Sequence, residues 1–265
     1  MYLGDVTWQE AGEYLDDESL ALVPIGSTEQ HGPHLPLSTD HVIAEGLART
    51  AAEQGGYLCT PTITIGVSPH HRQFHGTMSV DPPAFRDYVE SLSRSLVYQG
   101  IDRIVYVNAH GGNRNHLREV GRRLHADDVA FAVEWMWDES IPEFVDDLFE
   151  TNGPHAGPKE TSMVWHLIDN VRESELSAAR DEGRPRLEDS DARQYGTRVN
   201  YDAIDNSPNG AFGDPTDASA AKGEQLLDAA CKELLGLCDW IDSQPWSVLG
   251  PSDHVRERPG SDRAK

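Results

Sequence analysis

The chain has 265 residues, with 45 Asp or Glu against 22 Lys or Arg, for a formal net charge of -23 at pH 7. That length fits one large domain with a sizeable core, because single cores stop growing at roughly 250–300 residues. The charge lacks the basic footprint of a nucleic-acid binder, and no apolar run approaches the ~18 residues of a membrane span, so neither partner is expected.

In chain order, the first predicted strand is the apolar run Ala21–Ile25, closed by Gly26 and Ser27. A helix is expected from Asp40, with Asp40 able to cap it, an apolar stripe through Val42, Ile43, Leu47 and Ala51, and a stop at Gly55 and Gly56. Thr60 to Gly66 reads as a strand, followed by a polar loop with His70, His71 and His75. Phe85, Tyr88, Val89, Leu92 and Leu96 recur at helical spacing, and Ile104–Val107 reads as a fully buried strand. Asn113 to His125 is expected as a helix and Val129 to Val133 as a strand.

Such alternation predicts an α/β fold: a single three-layer α/β/α domain over about residues 1–250 with a mostly parallel central sheet. Trp137 to Lys159 reads as irregular, Thr161 to Asp169 as a short helix, and Ser174 to Phe212 as long surface loops able to cover a site. Asp217 to Ile241 is an amphipathic helix, and residues 251–265 form a polar tail expected to be mobile.

Acidic residues spread along the chain beside only four lysines (Lys159, Lys222, Lys232 and Lys265), which points to adaptation to high salt, where screening relieves self-repulsion. An ordinary acidic cytosolic enzyme is the alternative. Residues Met1 to Asp5 lack the basic stretch and apolar core of a secretory signal, and the odd set Cys59, Cys231 and Cys238 lacks metal-type spacing. Both features fit a reducing cytoplasm, with the cysteines packed in the core.

Three strand-to-helix junctions carry the chemistry. Gly26 to His34 places Glu29 and His31 two residues apart just past a strand end, and Asp40 follows at the head of a helix, where a short carboxylate can bridge two cations. Alone, Glu-x-His also fits a solvated loop. His110 precedes Gly111 and Gly112 at a second junction, which suits either a metal ligand or a backbone cradle for phosphate. His155 precedes a helix opening at Glu160, whose carboxylate also suits plain helix-dipole compensation worth ~0.3–1 kcal/mol. Together the three segments supply the mixed carboxylate and imidazole donors of a two-cation hydrolytic site.

The motifs Ile25-Gly26-Ser27-Thr28-Glu29-Gln30-His31-Gly32-Pro33-His34-Leu35-Pro36 with Thr39-Asp40, Asn108 to Asn113, and His155-Ala156-Gly157 with Glu160-Thr161-Ser162 resemble the creatininase family of amidohydrolases. The resemblance implies two divalent cations per subunit (zinc, manganese or iron), with Glu29 and His110 on one, His31 on the second and Asp40 bridging. It implies a hydroxide attacking an amide carbon, His155 transferring a proton to the leaving nitrogen, and a homo-oligomer, often a hexamer. Creatinine-hydrolysing members carry a tyrosine and a glutamate where this chain has Gly111 and Gly112, so Glu160 is expected to supply the missing carboxylate as ligand and catalytic group. His71, Trp137, Gly111 and Gly112 are candidate substrate contacts. Gly210 to Thr216 with Ala220 to Gly223 is similar to the branch containing the mycofactocin-precursor peptidase, which points to a peptide or another small amide as substrate. A formamidopyrimidine-nucleotide deformylase, a true creatininase and a non-catalytic phosphate-ligand binder are the alternatives. A serine hydrolase fits less well, because Gly26 to Gln30 does not complete a GxSxG elbow.

Overall fold

Alternating apolar residues along the strands divide the interior into two cores, one on each face of a sheet. A computed structural model describes residues 1–15, 19–151, 153–182 and 202–252. Strands β1 (Leu20–Ile25), β2 (Leu58–Cys59), β3 (Arg103–Asn108) and β4 (Phe131–Met136) form one parallel sheet in the order β2-β1-β3-β4. In β1, Leu20 and Leu22 face one core while Ala21, Val23 and Ile25 face the other; in β3, Val105 and Val107 oppose Ile104 and Tyr106. The buried Tyr106 hydroxyl is matched by Ser93 Oγ at 2.7 Å.

Helix α1 (Trp8–Leu15) precedes the sheet. Helices α2 (Thr39–Gly55), α6 (Pro158–Ile168) and the long α8 (Ala220–Asp242) cover the first core, whereas α3 (Pro82–Tyr98) and α4 (Arg114–Ala126) cover the second. The expected three-layer α/β/α architecture with a parallel sheet is therefore present. Cys59, Cys231 and Cys238 are buried and free, packed in the first core as expected. Among the described residues no helix is long and apolar enough to cross a membrane.

Several local expectations are corrected. Thr60 to Gly66 is not a strand: Pro61 lacks an N–H, so pairing divides into β2 before it and a single bridge from Ile63 to Ile25 after it. Asp40 does not cap α2; Ser38 holds that position without a side-chain bond, and Asp40 lies in the first turn. The stretch from Trp137 to Lys159 contains α5 (Pro142–Leu148), which Pro142 opens. Within Ser174 to Phe212, α7 (Leu176–Glu182) and a single turn at Ala203–Asn206 are helical. The rest of that segment, residues 183–201, lies outside the described residues, as do residues 253–265 of the expected tail.

The C-terminal edge of β1 and β3 is pinned by one buried amide. Asn113 Nδ2 donates to the Gly26 carbonyl at 3.0 Å, and its Oδ1 accepts the Val67 N–H at 3.0 Å. Gly26 itself lets α2 approach, since a Cβ there would sit 2.3 Å from the His41 backbone nitrogen. Asn113→Ala leaves a buried N–H and a buried carbonyl unpaired, each costing about 1–3 kcal/mol. We expect a matching drop in the urea midpoint, and an unchanged midpoint would remove Asn113 from this role.

Candidate metal centre

The parallel register sets Ile25 beside Asn108, so the chain leaving β1 toward Glu29 and His31 runs next to the chain leaving β3 toward His110. The first turn of α2 brings Asp40 to the same place, and the first turn of α6 brings Glu160. Glu29, His31, Asp40, His110 and Glu160 are all buried.

Second contacts of the imidazoles determine which nitrogens face inward. His31 Nδ1 lies 3.2 Å from the Glu29 carbonyl, which occupies that nitrogen and turns Nε2 inward. That Nε2 sits 2.9 Å from Asp40 Oδ1 without hydrogen-bond alignment. His110 Nε2 lies 3.1 Å from the Val67 carbonyl, which leaves Nδ1 at 3.1 Å from Asp40 Oδ2 and 3.3 Å from Glu29 Oε2. Glu29 Oε2, Asp40 Oδ2 and His31 Nε2 have no hydrogen-bond partner despite full burial. Lone pairs converging on shared space need protons or cations between them, and this donor set suits divalent zinc, manganese or iron. Among the described residues, three groups could hold an ion: Glu29 with His31 and Asp40; His31 with His155 and Glu160; and Glu29 with His71 and His155.

Charge distribution follows from this crowding. Burial alone would lower the His31 imidazole, but the Asp40 carboxylate pushes it up to about 9. Burial opposes charge on His110 too, yet Glu29 and Asp40 raise it well above the ordinary value. The Glu29 carboxyl, which burial would raise, is held well below the carboxylate range by His110, His71 and His31. Glu160 has no such neutralisation: burial pushes its carboxyl up to about 7, against a smaller opposing effect of His31. Burial lowers His71 to about 4 and, with His31 and His71 nearby, lowers His155 as well, so both are neutral near pH 7.

A cavity of about 370 Å³ opens on these groups, lined by Glu29, Asp40, His71, His110, His155 and Glu160. Gly111 and Gly112 also line it. Trp137 does not: it is 2% exposed and packed in the first core. The sequence did not single out His70, Ala109, Pro154, Ala203, Asn206 and Phe212 as site residues, yet they complete the wall. Ala203, Asn206 and Phe212 lie in the segment expected to cover a site, and His70 and Pro154 sit beside chemically marked histidines. The 202–212 wall is tied to the histidine loop by Arg72 Nη2, 3.0 Å from Asp202 Oδ2.

The family model described as creatinine amidohydrolase matches residues 4–238. This chain belongs to the creatininase family. With it the chain joins the hydrolases of C–N amide bonds. It is 36% identical over 216 residues to a mycofactocin precursor peptide peptidase of Mycobacterium ulcerans (strain Agy99), covering 78% of this chain and 79% of that protein. It is 27% identical to a creatinine amidohydrolase of Pseudomonas putida, covering 64% of this chain and 73% of that one. The fold matches a solved creatinine amidohydrolase (creatininase) with a TM-score of 0.79 at 22% identity, over 92% of this chain and 98% of that one.

Within this creatininase-family site the two glycines are not equivalent. A Cβ on Gly111 would meet nothing within 4 Å, whereas one on Gly112 would lie 2.2 Å from the Val67 carbonyl and 2.4 Å from His110 Nε2. Any side chain at 112 therefore disrupts the bond that turns His110 Nδ1 inward. Gly112→Glu should cost about 1–3 kcal/mol through overpacking and weaken metal retention, while Gly111→Ala changes neither. Equal melting temperatures and metal contents for the two variants would overturn this.

A pH dependence also follows. The folded pKa of His31, about 9, exceeds its ordinary 6.5, so its stabilisation is complete below pH 6.5 and lost as pH rises through 9. His110 and Glu160 are shifted in the same direction. Chelator-treated protein should therefore melt lower at pH 9.5 than at pH 6.5, and metal uptake at pH 7 should release protons. Calorimetry in buffers of different ionisation enthalpy counts those protons; zero release would contradict the assigned charges.

Proposed function

We propose that this protein is a two-cation amidohydrolase that cleaves the C–N bond of a peptide or another small amide. In this reading Glu29 and His110 would hold one divalent cation and His31 and Glu160 the other, with Asp40 available to both. The observation that carries it is the inward convergence of unpartnered Glu29, His31 and Asp40 atoms, with His110 Nδ1 beside them. When bound, the cations would lower the pKa of water and polarise the amide carbonyl.

The chain's own groups supply the rest. Glu160 accepts the Ala156 N–H through Oε2, which anchors the carboxylate on the first turn of α6. His155 Nε2 lies 2.9 Å from the Gln30 carbonyl, and its Nδ1 lies 3.9 Å from Glu29 Oε1 at the cavity wall. A neutral His155 with a bare Nδ1 takes up the proton lost by the attacking water and passes it to the departing nitrogen. Apolar Pro154, Ala203 and Phe212 limit competing water around the leaving group.

A peptide substrate is favoured over creatinine on two grounds. The mycobacterial relative named as a precursor peptide peptidase aligns over most of this chain. The Gly111 side leaves the cavity open where a larger residue would fill it. The test is a screen of protein reconstituted with manganese, zinc or iron against short peptides, creatinine and formamide-bearing pyrimidines, in high-salt buffer to match the acidic composition. Peptide hydrolysis abolished by chelation is expected; full activity in metal-free protein refutes the mechanism. Glu160→Gln should lower bound metal from roughly two equivalents to roughly one. Two equivalents retained would remove Glu160 from the ligand set.

A further inference from the structure

Gln30 stands between Glu29 and His31 in sequence, but its side chain contacts a different set of groups. Gln30 Oε1 accepts the Gly32 N–H at 2.9 Å, which settles the amide orientation and leaves Nε2 with two protons to donate. Nε2 lies 2.7 Å from His71 Nδ1, 3.0 Å from the Gly210 carbonyl and 2.9 Å from His155 Nε2. The Gln30 carbonyl lies 2.9 Å from the same His155 nitrogen. Gln30, His71 and Gly210 are buried, so an unmatched polar atom among them is costly.

One proton assignment satisfies every group. Gln30 Nε2 donates to His71 Nδ1 and to the Gly210 carbonyl, and His155 Nε2–H donates to the Gln30 carbonyl. If Gln30 instead donated to His155 Nε2, the Gln30 carbonyl would lose that donor, and either His71 Nδ1 or the Gly210 carbonyl would lose its own. The favoured assignment makes both histidines Nε2–H tautomers. His71 then directs its proton at Glu29 Oε1, 3.3 Å away.

We propose that Gln30 is a positioning residue that holds His71 and His155 as Nε2–H tautomers, so that His155 presents a bare Nδ1 to the cavity. Its kinetic consequence rests on the proton-transfer role proposed for His155; its tautomer consequence does not. The side-chain amide also ties the His71 ring to the 202–212 wall through Gly210, while the backbone carbonyl of the same residue holds His155, which places ring orientation and wall position under one residue.

The decisive measurement is a long-range 1H–15N spectrum of metal-free protein labelled at histidine nitrogens, with His71→Gln and His155→Gln identifying the resonances. Both rings are expected as Nε2–H tautomers at pH 7.5. An Nδ1–H tautomer at either ring overturns the proposal, whatever the variants do. Gln30→Met keeps length without donor or acceptor, and Gln30→Glu keeps shape while replacing the donor. Both should lower kcat roughly 10–100-fold, as loss of a supporting contact does, with KM and metal content nearly unchanged. Gln30→Met should also lose the single tautomer at His71. A lower melting temperature with kcat and both tautomers intact would mark Gln30 as merely structural and refute the proposal. Absence of any amide cleavage by the unmodified protein would sink the proposed function and leave the tautomer assignment to stand or fall on the spectrum.

Discussion

The arrangement depends on holding two carboxylates, Glu29 and Asp40, within reach of the same nitrogen in a place almost closed to water. Both lie within 3.3 Å of His110 Nδ1, and they are 1% and 2% exposed. Several kcal/mol per buried ion oppose such a cluster unless positive charge enters it. In metal-free protein that charge comes from protons on His31 and His110; in the proposed loaded state it comes from divalent cations. The raised imidazole pKa values and the unpartnered carboxylate oxygens are two expressions of this one requirement.

Rigid surroundings make that cost tolerable by preventing the carboxylates from turning away. Asn113 joins the chain after β1 to the loop before His70, and Asn108 joins the His110 backbone to Glu134 on β4. Asn108 Oδ1 also accepts the His110 N–H at 3.1 Å. These amides touch no candidate ligand side chain apart from their own loop, yet they determine where His110 can point. A parallel sheet suits the purpose, because adjacent strands deliver successive junctions to the same edge.

How much of this was legible in the sequence depends on how local the cause is. Alternation of apolar runs exposed β1, β3, β4 and the long helices, because period and burial are written residue by residue. The run after Thr60 misled because its apolar period was sound while Pro61 broke the ladder. Glu29, His31, Asp40, His110 and Glu160 were readable as metal-type residues at junctions, and the structure brings all five together. Trp137 was misplaced because one tryptophan carries no facing information. The segment holding Ala203, Asn206 and Phe212 was readable as one able to cover a site, but not which of its residues would face the cavity, because their place depends on the 202–212 segment folding back onto a loop about 130 positions earlier, fixed by Arg72 and Asp202.

Gly112 shows why a missing carboxylate cannot be treated as a simple deletion. The backbone at 112 passes so close to Val67 and His110 that the loop depends on having no side chain there. A glutamate at that position requires a different path for the loop, hence a different setting of the His110 ring. In the proposed ligand set the carboxylate comes instead from Glu160 on α6, anchored to the Ala156 N–H. Ala156 adopts φ 53°, a left-handed conformation that is costly for alanine, directly between His155 and the helix that carries Glu160. A ligand on α6 would thus be coupled to the proposed proton carrier through one strained residue, with the Gly111 side of the cavity left open.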